Sequence, residues 1–449
     1  MFVEFIVILY YVQRAFVLEL ESLFCYFGRP LERHLKIMVL GVGGFAQSVM
    51  QILSDDGAVV SCGLTRDYGH LPPSTVGPTF NLASTESLKR LIDSNETDLV
   101  IPMSIDWAKM PWANDLLSSS AKVFSPTGGS MLIERDRDFA RGLCNKYNVP
   151  FPKAYVARNR LHALEIIDRH PKAFVIKNPL CSPQSPVHTI ICQTPGDTSA
   201  WLECVDYAEG VFLQEYLGPR EAGHIAFVVR GEVHSLVTNQ EYKRAQAGNM
   251  GIVAGAPMGG LVEADPDDKY GLAAAMLHPL KPWFKETGFT GPIQATGIYH
   301  NDCWHAIEYN IRLGITATPM ILRMLEKPAS TLMQMCSGVS PKIRFRKDLK
   351  FGASLTLAGY GYPYTVLEGP PVPIIINSEF DCDVWWNEIA SEKTGDYFAT
   401  GHRIADIVAF GGDLSEALNL AYKNIRKIRC LGSYYRPDIG ESLWPPGNE

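Results

Sequence analysis

Between Ile37 and Leu53 the chain passes from an apolar run through clustered glycines into a helical pattern, and this order limits the folds open to it. Ile37 to Leu40 reads as a buried strand, Gly41-Val-Gly-Gly44 as a turn and Phe45 to Leu53 as a helix. The alternation continues. Ser84 to Asn95 has a helical pattern, Asp98-Leu-Val-Ile-Pro102 reads as a second strand, and Ala121-Lys-Val-Phe124 as a third. Strands alternating with helices imply a parallel sheet.

The pattern changes after a helix expected from about Met131 to Tyr147. Ala173-Phe-Val-Ile-Lys177, His188 to Gln193 and Val211-Phe-Leu-Gln-Glu-Tyr-Leu217 read as strands. His224 to Val229 and Glu232 to Thr238 suit a hairpin about Arg230-Gly231. Tyr270 to Thr287 follows as a helix, then Gly291 to Tyr299 and Cys303 to Leu313 as a second hairpin. After about residue 340 the composition shifts. Pro and Gly crowd Gly359 to Pro373, which suggests a boundary, with a strand at Gly401 to Phe410 and a helix at Leu414 to Ile428 beyond it. The 449 residues have room for roughly three domains.

The segment His305-Ala-Ile-Glu-Tyr-Asn-Ile-Arg-Leu-Gly314 carries the clearest chemistry. As a strand it places Glu308, Asn310 and Arg312 on one face and Ile307, Tyr309 and Ile311 on the other. A carboxylate, an amide oxygen and a guanidinium in one row suit Mg²⁺ bound to phosphate. An edge strand with one wet face would give the same row. Lys177 ends an apolar strand, where it is either a snorkelling surface residue or a point charge for a nucleotide phosphate. Glu215 lies in another apolar strand, and Glu221 follows a Gly-Pro turn.

In this order the residues resemble those of ATP-grasp enzymes, specifically the phosphoribosylamine–glycine ligase family. The likeness runs from about Met38 to Gly440. It includes Phe174-Val-Ile-Lys177, Gln214-Glu-Tyr-Leu217, Arg220-Glu221-Ala222, Asn239-Gln-Glu-Tyr-Lys-Arg244 and Ile307-Glu-Tyr-Asn-Ile-Arg-Leu-Gly314. Gly361-Tyr-Pro363, Gly401-His-Arg403 and Tyr435-Arg-Pro-Asp-Ile-Gly440 extend it. The resemblance implies an α/β and α+β chain with the ATP-grasp fold. Residues 38–130 would form the α/β pre-ATP-grasp domain, 131–335 the ATP-grasp domain with a lid at about 137–208, and 340–449 a small C-terminal α+β domain.

The implied activity is ATP-dependent joining of a carboxylate to an amine through an acyl phosphate, with ATP and Mg²⁺ or Mn²⁺ as cofactors. Such transfer depends on positioning and charge neutralisation. Carried over by position, Lys177 and Arg137 would contact ATP phosphates, and Gln214, Glu215, Tyr216 and Leu217 would line the adenine pocket. Glu221 would hold the ribose, and Glu308 and Asn310 would bind the metal. Arg312, Lys243 and Arg244 would face the transferred phosphate or substrate carboxylate.

Several segments depart from the family. The glycine-rich lid loop becomes Asn178-Pro-Leu-Cys-Ser-Pro-Gln-Ser-Pro-Val-His188, without glycine. The loop that helps hold a sugar phosphate in the family becomes Gly41-Val-Gly-Gly-Phe-Ala-Gln47. Pro102-Met-Ser-Ile-Asp-Trp107, Gly251-Ile-Val-Ala-Gly-Ala-Pro-Met-Gly259 and Ile315-Thr-Ala317 also differ. The nucleotide and metal positions largely persist while the second-substrate positions change. The expectation is a related ligase with an amino-acid carboxylate donor, an acceptor other than phosphoribosylamine, and a role in specialised metabolism. Genuine phosphoribosylamine–glycine ligase activity and a degenerate nucleotide-binding protein are the alternatives. A nicotinamide-dependent oxidoreductase is a further rival, resting only on Gly41-Val-Gly-Gly44 without the full fingerprint.

A net charge of −7 without a Lys/Arg-rich run gives no basis for nucleic-acid partners. Ten cysteines without a CxxC pair suggest reduced thiols and a cytoplasmic location. His70, His224, His234 and His305 read as solvated or structural. Residues 1–37 form an atypical apolar extension. Glu4, Gln13 and Arg14 interrupt it as a membrane span, and it lacks a signal-peptide pattern. It reads as a membrane-associated helix, as a packing helix of a possible homodimer, or as the product of an upstream start codon assigned in error. The last of these, or an extension atypical of the family, is the expectation.

Overall fold

The strand beginning at Lys36 sits at the centre of a parallel sheet because its side chains are apolar on both faces. The computed structural model describes residues 34–66, 69, 71–181, 189–364, 370–392 and 395–441. Almost all of the N-terminal extension, His70 and most of the lid loop lie outside them. Strands β1 (Lys36–Gly41), β2 (Val59–Leu64), β3 (Thr79–Asn81), β4 (Leu99–Pro102) and β5 (Lys122–Val123) form a parallel sheet in the order β3-β2-β1-β4-β5. Helix Gly43–Asp55 follows β1 directly. Met38, Leu40 and Val100 from this sheet share a core with Tyr309 and Ile311 from the distant metal-row strand.

Strands β6 (Ala154–Ala157), β7 (Phe174–Lys177), β8 (Ile190–Ile191) and β9 (Val211–Glu215) form an antiparallel sheet in the order β6-β9-β7-β8. Helices Arg160–Arg169 and Pro195–Leu202 supply the rest of its own small core, around Ile166, Phe174, Leu202 and Leu213. Tyr216 and Leu217 lie past the end of β9, so the expected strand to Leu217 is shorter.

Two expected helices are broken. The one predicted over 131–147 divides into Leu132–Arg135 and Arg137–Lys146 at Asp136, which is extended (φ −131°, ψ 110°). The Asp136 carboxylate accepts from the Asp138 and Phe139 N–H groups, capping the second piece. The helix predicted over 270–287 divides into Leu272–Met276, a single 3₁₀ turn His278–Leu280, and Lys281–Thr287. Pro279 and Pro282 remove donors and crowd the preceding turn.

Downstream come β10 (Glu221–Val229), β11 (Glu232–Glu241), the ribbon β12 (Arg244–Gln246) and β13 (Met250–Val253), β14 (Gly259–Ala264), β15 (Gly291–His300) and β16 (Cys303–Asn310). They are followed by β17 (Phe351–Ala358), β18 (Val372–Ile376), β19 (Asp383–Trp386), β20 (Ile389–Ser391), β21 (Tyr397–Ala399), β22 (Arg403–Gly411) and β23 (Ile428–Cys430). An eight-stranded sheet runs β16-β15-β10-β11-β14-β17-β22-β19, so strands from before and after residue 340 pair in one sheet. Both predicted hairpins form. Arg230 and Gly231 have φ 51° and 80°, and Asn301 and Asp302 have φ 48° and 58°, the left-handed values a two-residue turn needs.

Candidate active site

The metal-row strand keeps its predicted row but not its strict alternation. The β15–β16 register steps from Thr296↔Glu308 to Gly297↔Ala306, leaving Ile307 as the extra residue of a bulge. Ala306, Tyr309 and Ile311 enter the core, and Ile307 does not join them. Its carbonyl instead accepts from Lys177 Nζ (3.3 Å) and Gln214 Nε2 (3.3 Å). Tyr309 anchors the strand from behind by donating to the Met276 carbonyl at 3.0 Å.

Around Glu308 three cations converge. Lys243 Nζ lies 2.8 Å from Glu308 Oε1, and Arg137 Nη1 lies 3.8 Å from Oε2. Lys177 acts on Glu308 electrostatically while its Nζ donates to Gln214 Oε1 at 2.8 Å. Lys243 also reaches Glu221 Oε1 at 2.8 Å and Glu241 Oε2 at 3.8 Å. Strands β7, β9, β10, β11 and β16 thus each bring a polar group from an otherwise buried strand to one place.

The charges are strongly perturbed. Burial opposes ionisation of Glu308, but Lys243, Lys177 and Arg137 outweigh it and hold the carboxyl well below its usual range. Burial also opposes charge on Lys243, yet Glu221, Glu308 and Glu241 hold its ammonium protonated well above the ordinary lysine range. Lys177 is pulled the other way. Its 3 % exposure dominates, Glu308 offsets it only in part, and its pKa falls to about 8. Burial raises Glu241, with Lys243 opposing.

The other half of the row rests on a residue that the sequence did not bring forward. Glu134 has a fully buried side chain. Its Oε1 accepts from Arg312 Nε at 2.9 Å and Asn310 Nδ2 at 3.4 Å, and its Oε2 accepts from the Ile311 N–H at 2.6 Å. With its nitrogen on Glu134, the Asn310 amide turns its oxygen, the atom a hard cation would take, away from that carboxylate. Glu241 was also missed. Glu134 stands between Ile133 and Arg135 and Glu241 between Gln240 and Tyr242, local contexts too ordinary to single out either carboxylate.

The remaining predicted residues surround this cluster or face the lid. Arg137 opens its helix and donates through Nε to the Asn178 carbonyl at 3.0 Å, where Asp136 bridges Leu180. Glu215 N–H donates to the Lys153 carbonyl (2.8 Å) and Tyr216 N–H to the Ala173 carbonyl (2.9 Å), while the Leu217 carbonyl pairs with His300 Nδ1 (3.1 Å). Arg244 is held apart from the carboxylates, donating to the Gly251 carbonyl at 2.7 Å, and its charge is felt at Tyr216 and Cys192. Asn178 has a buried side-chain oxygen without a partner among the described residues. The glycine-free lid loop falls largely on residues 182–188, outside those described.

The donor set fits a magnesium–nucleotide complex. Glu308 and the Asn310 oxygen are hard ligands, and Lys177, Lys243, Arg137 and Arg312 balance phosphate charge. Among the described residues, no helix is long and apolar enough to cross a membrane.

Comparison with known proteins shows what the chain and its fold resemble. Residues 353–442 match the family model described as phosphoribosylglycinamide synthetase, C domain. The chloroplastic phosphoribosylamine–glycine ligase of Arabidopsis thaliana is 26% identical over 353 residues, covering 73% of this chain. The chain spans 64% of that relative's length. The solved phosphoribosylamine–glycine ligase of Thermotoga maritima superposes with a TM-score of 0.73 at 21% identity, covering 90% of this chain and 100% of that one. A Campylobacter jejuni biotin carboxylase, solved as a complex with β,γ-ATP, has a TM-score of 0.63 at 12% identity over 89% of this chain and 92% of its own.

Proposed function

We propose that this chain, which has the ATP-grasp fold and resembles phosphoribosylamine–glycine ligases, is an ADP-forming carboxylate–amine ligase. The observation that carries this reading is the convergence of Lys243, Lys177 and Arg137 on Glu308, next to an Asn310–Arg312 pair pinned by Glu134. A metal at Glu308 and Asn310 would supply charge neutralisation for the phosphate chain. Lys177 and Arg137 would orient the terminal phosphates, and Gln214 to Leu217 would receive the base beside the lid sheet. Glu221 would turn from Lys243 to the ribose hydroxyls. Arg312 would balance charge on the transferred group.

In the reaction a substrate carboxylate oxygen attacks the γ-phosphorus as the bond to the β–γ bridging oxygen breaks, releasing ADP. The amine nitrogen then attacks the acyl carbon and loses a proton. Phosphate leaves with the former carboxylate oxygen. An amino acid is the proposed carboxylate donor. The changes near Phe45–Gln47 and Ile315–Ala317 support a partner pair outside purine synthesis, with the enzyme acting in the cytoplasm.

The test is ADP release by the full chain with Mg²⁺, ATP, an amino-acid mixture and an amine panel, repeated with Glu308→Ala. Amine- and amino-acid-dependent ADP formation, lost in the variant, supports the reading. ATP binding without such turnover would identify a degenerate nucleotide-binding protein. Efficient glycinamide ribonucleotide synthesis would return the chain to the purine reaction.

A further inference from the structure

In an open parallel sheet, ligands enter the crevice beyond the carboxyl ends of the strands, where the strand order reverses. Here that point lies between β1 and β4, at the Gly41–Gly44 turn that opens a 13-residue helix. Such a helix start ordinarily offers backbone N–H groups and a positive dipole end to an anion. In this chain its own oxygens occupy the position.

Gly43 N–H donates to the Gly69 carbonyl at 2.6 Å, and Gly44 N–H donates to Asn387 Oδ1 at 3.1 Å. A Cβ on Gly44 would lie 2.7 Å from the Trp386 carbonyl oxygen and 2.9 Å from that of Trp385, so two more oxygens pack against the Cα of the same residue. The Asn387 amide cannot turn over cheaply. Its Nδ2 donates to Asp406 Oδ2 at 2.8 Å, and Asp406 Oδ1 in turn accepts from Arg403 Nη2 and Thr356 Oγ1, each at 2.6 Å. Gln47 is also engaged, accepting from the Trp386 N–H at 3.0 Å and donating to Thr75 at 3.2 Å. Across the crevice the Met103 side chain closes on Gly41, with Cγ 2.9 Å from where a Cβ would stand.

We infer that the amine substrate carries no phosphate group at this turn, and that Asn387, with the Trp385 and Trp386 carbonyls, determines that specificity. A phosphate there would displace two backbone hydrogen bonds and meet three oxygen lone pairs, with Asp406 behind them. The acceptor is therefore an amine that places no phosphate at this turn. This rests on the ligase reading and narrows its second substrate.

The test uses the full chain loaded with Mg²⁺ and a non-hydrolysable ATP analogue, so that the nucleotide phosphate positions are filled. Ribose 5-phosphate is titrated while the Gly44 amide resonance is followed. The inference expects no saturable shift of that resonance, corresponding to a Kd weaker than about 1 mM. It also expects Asn387→Ala to speed Gly44 hydrogen exchange by about tenfold, through loss of the acceptor. A saturable Gly44 shift in the unmodified chain overturns the inference. Failure of every carboxylate–amine pair to release ADP would instead overturn the ligase reading and leave the Gly44 result intact.

Discussion

Glu134→Gln isolates the support beneath the Asn310–Arg312 pair. Glu134 accepts three hydrogen bonds in a buried position, from Ile311 N–H (2.6 Å), Arg312 Nε (2.9 Å) and Asn310 Nδ2 (3.4 Å). Glutamine keeps the shape and one acceptor, but its NH₂ must face a donor already in place. Either the Ile311 N–H or the Arg312 Nε–H loses its partner. A charge-assisted hydrogen bond contributes about 1.5–3 kcal/mol, and an unsatisfied buried donor costs about 1–3 kcal/mol. Arg312 keeps 34% side-chain exposure, so water relieves part of the loss. A fall of about 2–3 kcal/mol in urea-unfolding stability follows. Glu134→Ala, which removes the whole partner, should approach the roughly 3–5 kcal/mol of a broken buried ion pair. Because Arg312 would act on the transferring group, kcat for ADP formation should fall more than the KM for ATP changes. A stability loss below about 1 kcal/mol together with unchanged kcat would refute the reasoning, since both rest on Glu134 holding Arg312 and Ile311.

Four further outcomes follow. Lys177 has its pKa lowered to about 8 by burial, so kcat/KM for ATP should decline above about pH 8 as the ammonium is lost. The linkage sign is the reverse of a salt-bridged lysine. The cost of burying charged Lys177 is fully present below about pH 8 and is relieved as pH rises toward 10.5, so Lys177→Met should be more stable at pH 7 yet inactive, as thermal unfolding and ADP assays would show. Glu308→Ala removes the proposed metal ligand and the counter-charge of Lys243, and should lower Mg²⁺-dependent ADP release by about 100-fold or more. Lys243→Met leaves Glu221, Glu241 and Glu308 facing one another without their shared cation, so thermal stability should become more dependent on Mg²⁺ while turnover falls.

The sequence made the strands legible where side-chain period and turn chemistry agree. Arg230-Gly231 marks the first hairpin, and Lys177 and Glu215 stand out as charged residues in apolar strands. Glu308, Asn310 and Arg312 keep one face because the bulge precedes them. The same bulge hides Ile307, whose carbonyl enters the site through a register shift with no local signature. Asp136 shows another limit. Its capping of the next helix overrides the continuous helical pattern, although Asp136-Arg-Asp138 carries a readable capping residue. Glu134 was not legible because its meaning comes from Ile311, 177 positions away. Closure of the glycine turn by Asn387 depends on a contact across 343 positions, and the glycines alone look the same in an open anion site.

The central claim is tested most directly by the fate of substrate oxygen. With ¹⁸O in the carboxylate of the amino acid that drives turnover, the ligase account predicts one ¹⁸O transferred to each phosphate released. Transfer should require Mg²⁺ and the amine and should be lost in Glu308→Ala. Phosphate released without label, while ATP is consumed at the same rate, would contradict carboxylate phosphorylation at this site.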